Sequence, residues 1–308
     1  MRSALTKSQG PAVRTAKREK SNVTKRDLLV GHFDAQRALT YRVKSLAGYR
    51  KAIEEAKPED FPALLANSLL LTALSSVNFR EKDGKDIYIL DWLVVWKGIP
   101  LVINLVSKSL LNESGMKLLF FRPPIDLEKA ASFIPDRLLV MASTIKPSDP
   151  DYSFRAAYYE TLKYLGSLYM DLTQGPSILM SLRVITIFTF VPTQFIDVAR
   201  MAQPRALVIL AYFATFFKLV QGDVWWLEGV GGRTIQDICG CIGLEWYDLL
   251  QVPFMALDIQ DTMKLARVIL EDGEGGSPQK YFLDYEEDTK PALVYTQAYY
   301  SQLLGRAS

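Results

Sequence analysis

Apolar residues along this chain recur at intervals of three and four, the spacing that gathers side chains on one face of an α-helix. Between Gln36 and Ala56 the stripe is Leu39, Val43, Leu46, Tyr49 and Ile53, while Arg42, Lys44, Arg50, Lys51, Glu54 and Glu55 fill the other faces. The pattern predicts an amphipathic helix that Pro58 ends. Asp60 and Pro62 then open another, since an acidic side chain caps free amides and proline has no amide to leave unpaired. Ala63 to Val77 is apolar nearly all round, which predicts a central helix. Asp83-Gly84 is turn chemistry, and a third helix from Ile87 to Leu111 carries Leu90, Leu93, Trp96, Ile99 and Ile103 on one side, with Pro100 to kink or divide it.

The second half of the chain repeats the scheme of helix, breaker, helix. Short helices are expected from Asp126 and from Pro135, and Lys146-Pro147-Ser148-Asp149-Pro150-Asp151 reads as a hinge or a boundary between helix pairs. Phe154, Tyr158, Leu162, Leu165, Tyr169 and Leu172 form another stripe, which Gly175-Pro176 breaks. Ser177 to Phe190 is rich in β-branched residues, yet its helical neighbours favour a helix here too. Pro192 and Pro204 open two more helices, the latter running to Gln221. Gly229 to Gly232 reads as a tight corner before a short helix from Arg233 to Cys241, with Gly243 as a left-handed cap. Ile259 to Leu270 is amphipathic, Glu271 to Pro291 is an acidic loop, and Ala292 to Leu304 a final short helix. Without strand alternation or a fixed-period repeat, the elements predict an all-α fold, an irregular multi-helix domain. The expected organisation is a disordered basic N-terminal tail over 1–30, an all-helical domain over 31–270, and an acidic loop with a short helix over 271–308.

Composition supports this picture and removes several function classes. With 308 residues, 49% of them hydrophobic and 23% charged, the chain can build a large core without staples. Thirty-six basic residues against 34 acidic ones leave no general polyanion surface, so direct nucleic-acid binding is not expected. Positive charge gathers in the tail, at Arg2, Lys7, Arg14, Lys17, Arg18, Lys20, Lys25 and Arg26, with Glu19 the one acid among them. So polar a segment offers little surface to bury, and Lys17-Arg18-Glu19-Lys20 is a short, interrupted match to a nuclear-import signal. The longest apolar run, Ala206 to Phe217, is shorter than the ~20 residues a bilayer requires, so it reads as a buried core helix and no transmembrane segment is expected.

Catalytic chemistry is thinly represented. His32 is the sole histidine, and Cys239 and Cys241 would diverge by about 200° on a helix. A zinc site, a disulfide framework and a Ser/His/Asp triad are therefore not expected; both cysteines read as buried helix residues. Gly229-Val230-Gly231-Gly232-Arg233 lacks the spacing of a nucleotide loop. Asp258 and Asp261 supply one half of a Mg²⁺-diphosphate arrangement, and as acids near a helix start they serve the helix dipole more simply. No cofactor is called for. Aromatic residues are the richer signal. Trp92, Trp96, Tyr212, Phe213, Phe216, Trp225 and Trp226 cluster near helix ends and kinks, where kinked helices can enclose an apolar small molecule.

Certain strings, taken in order, bear a likeness to a known family. Ala63-Leu64-Leu65-Ala66-Asn67-Ser68-Leu69-Leu70 is followed by Leu90-Asp91-Trp92-Leu93-Val94-Val95-Trp96-Lys97-Gly98-Ile99. Pro204-Arg205-Ala206-Leu207-Val208-Ile209-Leu210-Ala211-Tyr212-Phe213 and Trp225-Trp226-Leu227-Glu228-Gly229 come next. The set, over Ala35 to Leu257, resembles the C-terminal regulatory domain of fungal zinc binuclear cluster transcription factors of the sterol uptake control type. The family's six-cysteine DNA-binding cluster is not in this sequence. Lys97, Val230 and Val252-Pro253 also depart from the residues usual at those places. The resemblance implies an all-helical regulatory domain that senses a sterol or a secondary metabolite, or works through protein partners, in the nucleus or the cytoplasm; a homodimer is an open arrangement. The alternative is a biosynthetic enzyme that has turned a hydrophobic helical cavity to cyclisation.

Overall fold

A computed structural model describes residues 35–55, 57–80, 87–105, 113 and 124–273. The expected basic tail, the turn at Asp83-Gly84 and the helix from Ala292 to Leu304 lie outside the described residues, as does most of the acidic loop. Among the described residues the protein is all-α and has no strand. It divides into two compact units, Met1–Asp60 and Phe61–Ser308.

The first unit contains α1, Ala35–Glu55, and a 3₁₀ turn at Pro58–Asp60. Lys57 closes on Glu55 at 2.9 Å, with Lys51 one helical turn back at 3.6 Å. Val43 and Ile53 of the expected apolar stripe are 58% and 44% exposed.

The second unit carries the remaining helices. They are α2 (Phe61–Ser75), α3 (Tyr88–Leu105), α4 (Leu127–Ala131), α5 (Asp136–Ser143) and α6 (Arg155–Leu172), then α7 (Ile178–Thr186), α8 (Thr193–Arg200) and α9 (Pro204–Val220). α10 (Val230–Cys241), α11 (Gln251–Asp258) and α12 (Thr262–Gly273) complete it. Their starts are chemically marked. Asp126 accepts the Lys129 amide at 3.0 Å, Ser177 the Met180 amide at 3.1 Å, and Asp261 the Lys264 amide at 2.7 Å. Each such bond satisfies an amide that the first helical turn leaves open. The β-branched block is thus helical, as α7 with a 3₁₀ turn at Ile187–Thr189, because Ser177 starts it and Met180 and Val184 pack inward.

Helix α9 is the axis of the second unit. Every residue from Ala206 to Val220 is buried, and α6, α7, α8, α10, α11 and α12 all pack against it. Its closest neighbour is α10, and Gly231 is the reason. A Cβ there would run into the Ala214 carbonyl and the Lys218 amide. The expected glycine corner is therefore a helix start. Gly229 takes a left-handed φ of 83°, which glycine adopts without steric penalty, and Gly231 and Gly232 lie within α10. Gly243 has φ −66° and is extended, so it is not the left-handed cap expected; Ile242 ends α10 with its amide on the Ile238 carbonyl.

The sequence also placed α2 at the centre, and the structure corrects this. Its inward face is Phe61, Leu64, Leu65, Ser68 and Thr72, while Leu70, Leu74 and Val77 are 61%, 46% and 48% exposed. Pro58–Arg80 is a stretch of 23 residues long and apolar enough to cross a bilayer, and 33% of its most apolar 18-residue window is buried. One stretch of this kind, which core helices also match, does not define a membrane span. The bent pair Ile178–Thr189 and Thr193–Arg200, 74° apart, passes the same test only when taken together.

Candidate functional site

The aromatic residues singled out in the sequence separate into two groups according to helical phase. Trp92 and Trp96 lie one turn apart on α3, their ring centroids 5.6 Å apart and nearly perpendicular. Trp226, from the 3₁₀ turn Trp225–Leu227 after α9, comes within 5.9 Å of Trp92 and 6.5 Å of Trp96. Phe217 meets Trp92 at 5.6 Å, and Phe213, one turn earlier on α9, joins through Phe188 at 5.4 Å. Tyr212 and Phe216 share a different face of α9, where Phe216 packs on Tyr169 of α6 at 5.2 Å. Residues four apart on a helix lie on one side, so 213 and 217 go one way and 212 and 216 the other. Trp225 is outside the cluster and 54% exposed.

Sequence reasoning missed Phe79 and Phe188. Phe79 lies in the 3₁₀ turn Ser76–Arg80 and meets Trp92 edge-on at 5.6 Å; Phe188 stands 6.4 Å from the same ring. Both sit in one-turn segments that lack enough length to show a period, so no helical signal marks them. Edge-to-face contacts at these distances align the electropositive rim of one ring with the electron-rich face of another.

Polar groups inside the cluster are few. The Trp92 Nε1–H donates to the Thr72 carbonyl at 2.9 Å and ties α3 to α2. Ser68, Thr72 and Ser76 face the same way, each returning its hydroxyl to a carbonyl three or four residues earlier at 2.6–2.8 Å. Trp96 is 2% exposed, and its Nε1–H has no acceptor among the described residues. A buried donor left unmatched costs on the order of 1–3 kcal/mol. Pro100 adds to this neighbourhood, because without an amide it cannot bond the carbonyl of Trp96 four residues earlier.

The charged residues build structure. Arg205 bridges Asp149 at 2.8 Å and Asp151 at 2.9 Å, with its guanidinium 5.5 Å from the Trp246 ring centroid. Tyr158 donates to Asp151 at 2.9 Å, and burial drives its hydroxyl pKa far upward. The Lys146–Asp151 segment is therefore a pinned boundary between α5 and α6. The Lys146 backbone amide, and after it the Arg205 guanidinium, hold Asp149 below the usual carboxylate range. Arg183 grips Asp171 at 2.7 Å, yet burial outweighs that attraction and raises the Asp171 pKa.

The cysteines differ from the expectation of two buried thiols. Cys239 is half-buried and Cys241 exposed, both as free thiols. Burial, with a smaller contribution from Cys241, pushes the Cys239 thiol up to about 11. Asp258 ends α11 while Asp261 caps α12, so each has a place at a helix end. No three His, Cys, Asp or Glu residues converge as metal ligands among the described residues.

No family model, curated protein or solved structure matches this chain.

Proposed function

We propose that the chain is a regulator-type helical module that recognises an apolar, sterol-like small molecule at the cluster of Trp92, Trp96 and Trp226, and passes that state to protein partners in the nucleus or cytoplasm. The observation that carries this reading is the Trp96 Nε1–H, buried among rings and without an acceptor among the described residues. An apolar molecule bearing one hydroxyl would supply that acceptor while its rings replace aromatic contacts. Trp226 is the movable wall. It comes from a one-turn segment between α9 and the left-handed Gly229, and is only partly buried. Swinging it outward would open the space beside Trp96, in the manner of a pocket that the ligand itself selects.

Titration of the full chain with ergosterol, followed by tryptophan emission, tests the proposal. Saturable quenching is expected, together with a several-fold loss of affinity in Trp96→Phe, which keeps the ring and removes the donor. Unchanged emission across the titration, with no lipid retained on native mass spectrometry of protein from its own host, would overturn it.

A further inference from the structure

A different concave surface, away from the tryptophans, lies where α5 meets the start of α6. It is a half-open groove of about 450 Å³ walled by Leu139, Val140, Ile145, Ala156 and Tyr159, with Arg155 among its lining residues. We propose that this groove binds an anionic amphiphile, its hydrocarbon tail on the apolar wall and its carboxylate on Arg155.

Arg183, Arg205, Arg233 and Lys163 all pair with carboxylates at 3.2 Å or less. Those four are largely buried; Arg155 is exposed and, like other exposed cations of the chain, has no carboxylate within that reach among the described residues, but it is the cation that lines this groove. Its guanidinium donates to the Tyr152 hydroxyl at 2.5 Å and lies 4.5 Å from that ring's centroid. Those contacts orient it on a neutral partner, so its charge stays open to an anion from solvent. A planar guanidinium presents paired N–H groups that suit a carboxylate. Val140 and Tyr159, 58% and 42% exposed, offer wall to a tail and gain by covering it. A neutral apolar guest would leave Arg155 unpaired, and a small anion would leave the wall bare. An amphiphile with both parts satisfies both.

Isothermal titration of the full chain with decanoate, kept below its micelle concentration, is the test. Saturable one-to-one binding is expected, with acetate giving no heat and decyltrimethylammonium binding at least about tenfold more weakly, the size of one lost charge-assisted contact. Arg155→Gln should lower decanoate affinity by about tenfold, Arg155→Lys should recover part of it, and Val140→Asp should abolish binding. Both sites are exposed, so an unchanged circular dichroism spectrum is expected throughout. Trp96→Phe should leave decanoate binding intact, which separates this groove from the tryptophan cluster. Equal binding of both amphiphiles, no saturable heat, or indifference to Arg155→Gln and Val140→Asp would each overturn the proposal.

Discussion

Helix α9 buries every side chain from Ala206 to Val220, whereas α2, similarly apolar in sequence, leaves Leu70, Leu74 and Val77 exposed and turns Ser68 and Thr72 inward. The difference lies in the neighbours. Helices pack around α9 on all sides, so its leucines and phenylalanines each meet a partner surface. α2 buries one face, against α3, and small hydroxyl residues let the Trp92 indole come close enough to bond the Thr72 carbonyl. Internal hydrogen bonds make those hydroxyls tolerable inside, because each returns to a carbonyl on its own helical segment. Hydropathy therefore reports how apolar a helix is, and the number of partner faces decides how much of it is hidden.

The α9–α10 contact is where substitution should cost most. Gly231→Leu would drive carbon into the backbone of Ala214 and Lys218; a loss beyond the 1–3 kcal/mol of ordinary overpacking is expected, and failure to reach a folded state by circular dichroism is the readout. Phe213→Ala comes next, since the ring is fully buried; chemical denaturation should show about 3–5 kcal/mol of lost stability. Arg205→Met removes the partner of Asp151, a residue 1% exposed, and should cost roughly 3 kcal/mol in the same measurement. On the other side of the comparison, Leu74→Ser should change monomer stability by no more than ~0.5 kcal/mol. A loss there as large as that of Phe213→Ala would show that α2 is covered as α9 is.

The acid limb of stability gives the finest discrimination. Asp149 has its pKa lowered on folding, chiefly by the Lys146 amide. The folded state thus binds fewer protons than the unfolded state between the two pKa values. The stabilisation is present above the ordinary carboxylate value and is lost as pH falls through the lowered one. Thermal melts of Asp149→Asn against the parent, compared from neutral to acid pH, should show a shallower decline in the variant.

Much of this fold could be read from breakers and caps. Pro58, Pro192 and Pro204 stand at element starts, and Ser177 and Asp126 cap as their side chains suggest. What the sequence concealed was contact geometry. Gly231-Gly232 reads as a corner because glycine frees the backbone, yet Gly231 is there for want of a side chain against α9. The same limit applies to the candidate site. Listing Tyr212 and Phe216 with Trp92 treats neighbours in sequence as neighbours in space, which the phase of α9 overrules. Arg155 went unnoticed because one exposed arginine in a stripe of apolar residues looks like any solvated charge. Only the groove beside it gives it meaning.

Three indoles held at 5.6–6.5 Å from one another, with a fourth, Trp225, facing water, equip the molecule with its own optical gauge. Excitation will hop among the packed trio and yield a coupled signal in the near ultraviolet that vanishes once they part. Trp225 should emit at longer wavelength and yield first to a dissolved quencher. A single cuvette can thereby tell whether an additive has pried the interior apart or merely brushed the outside.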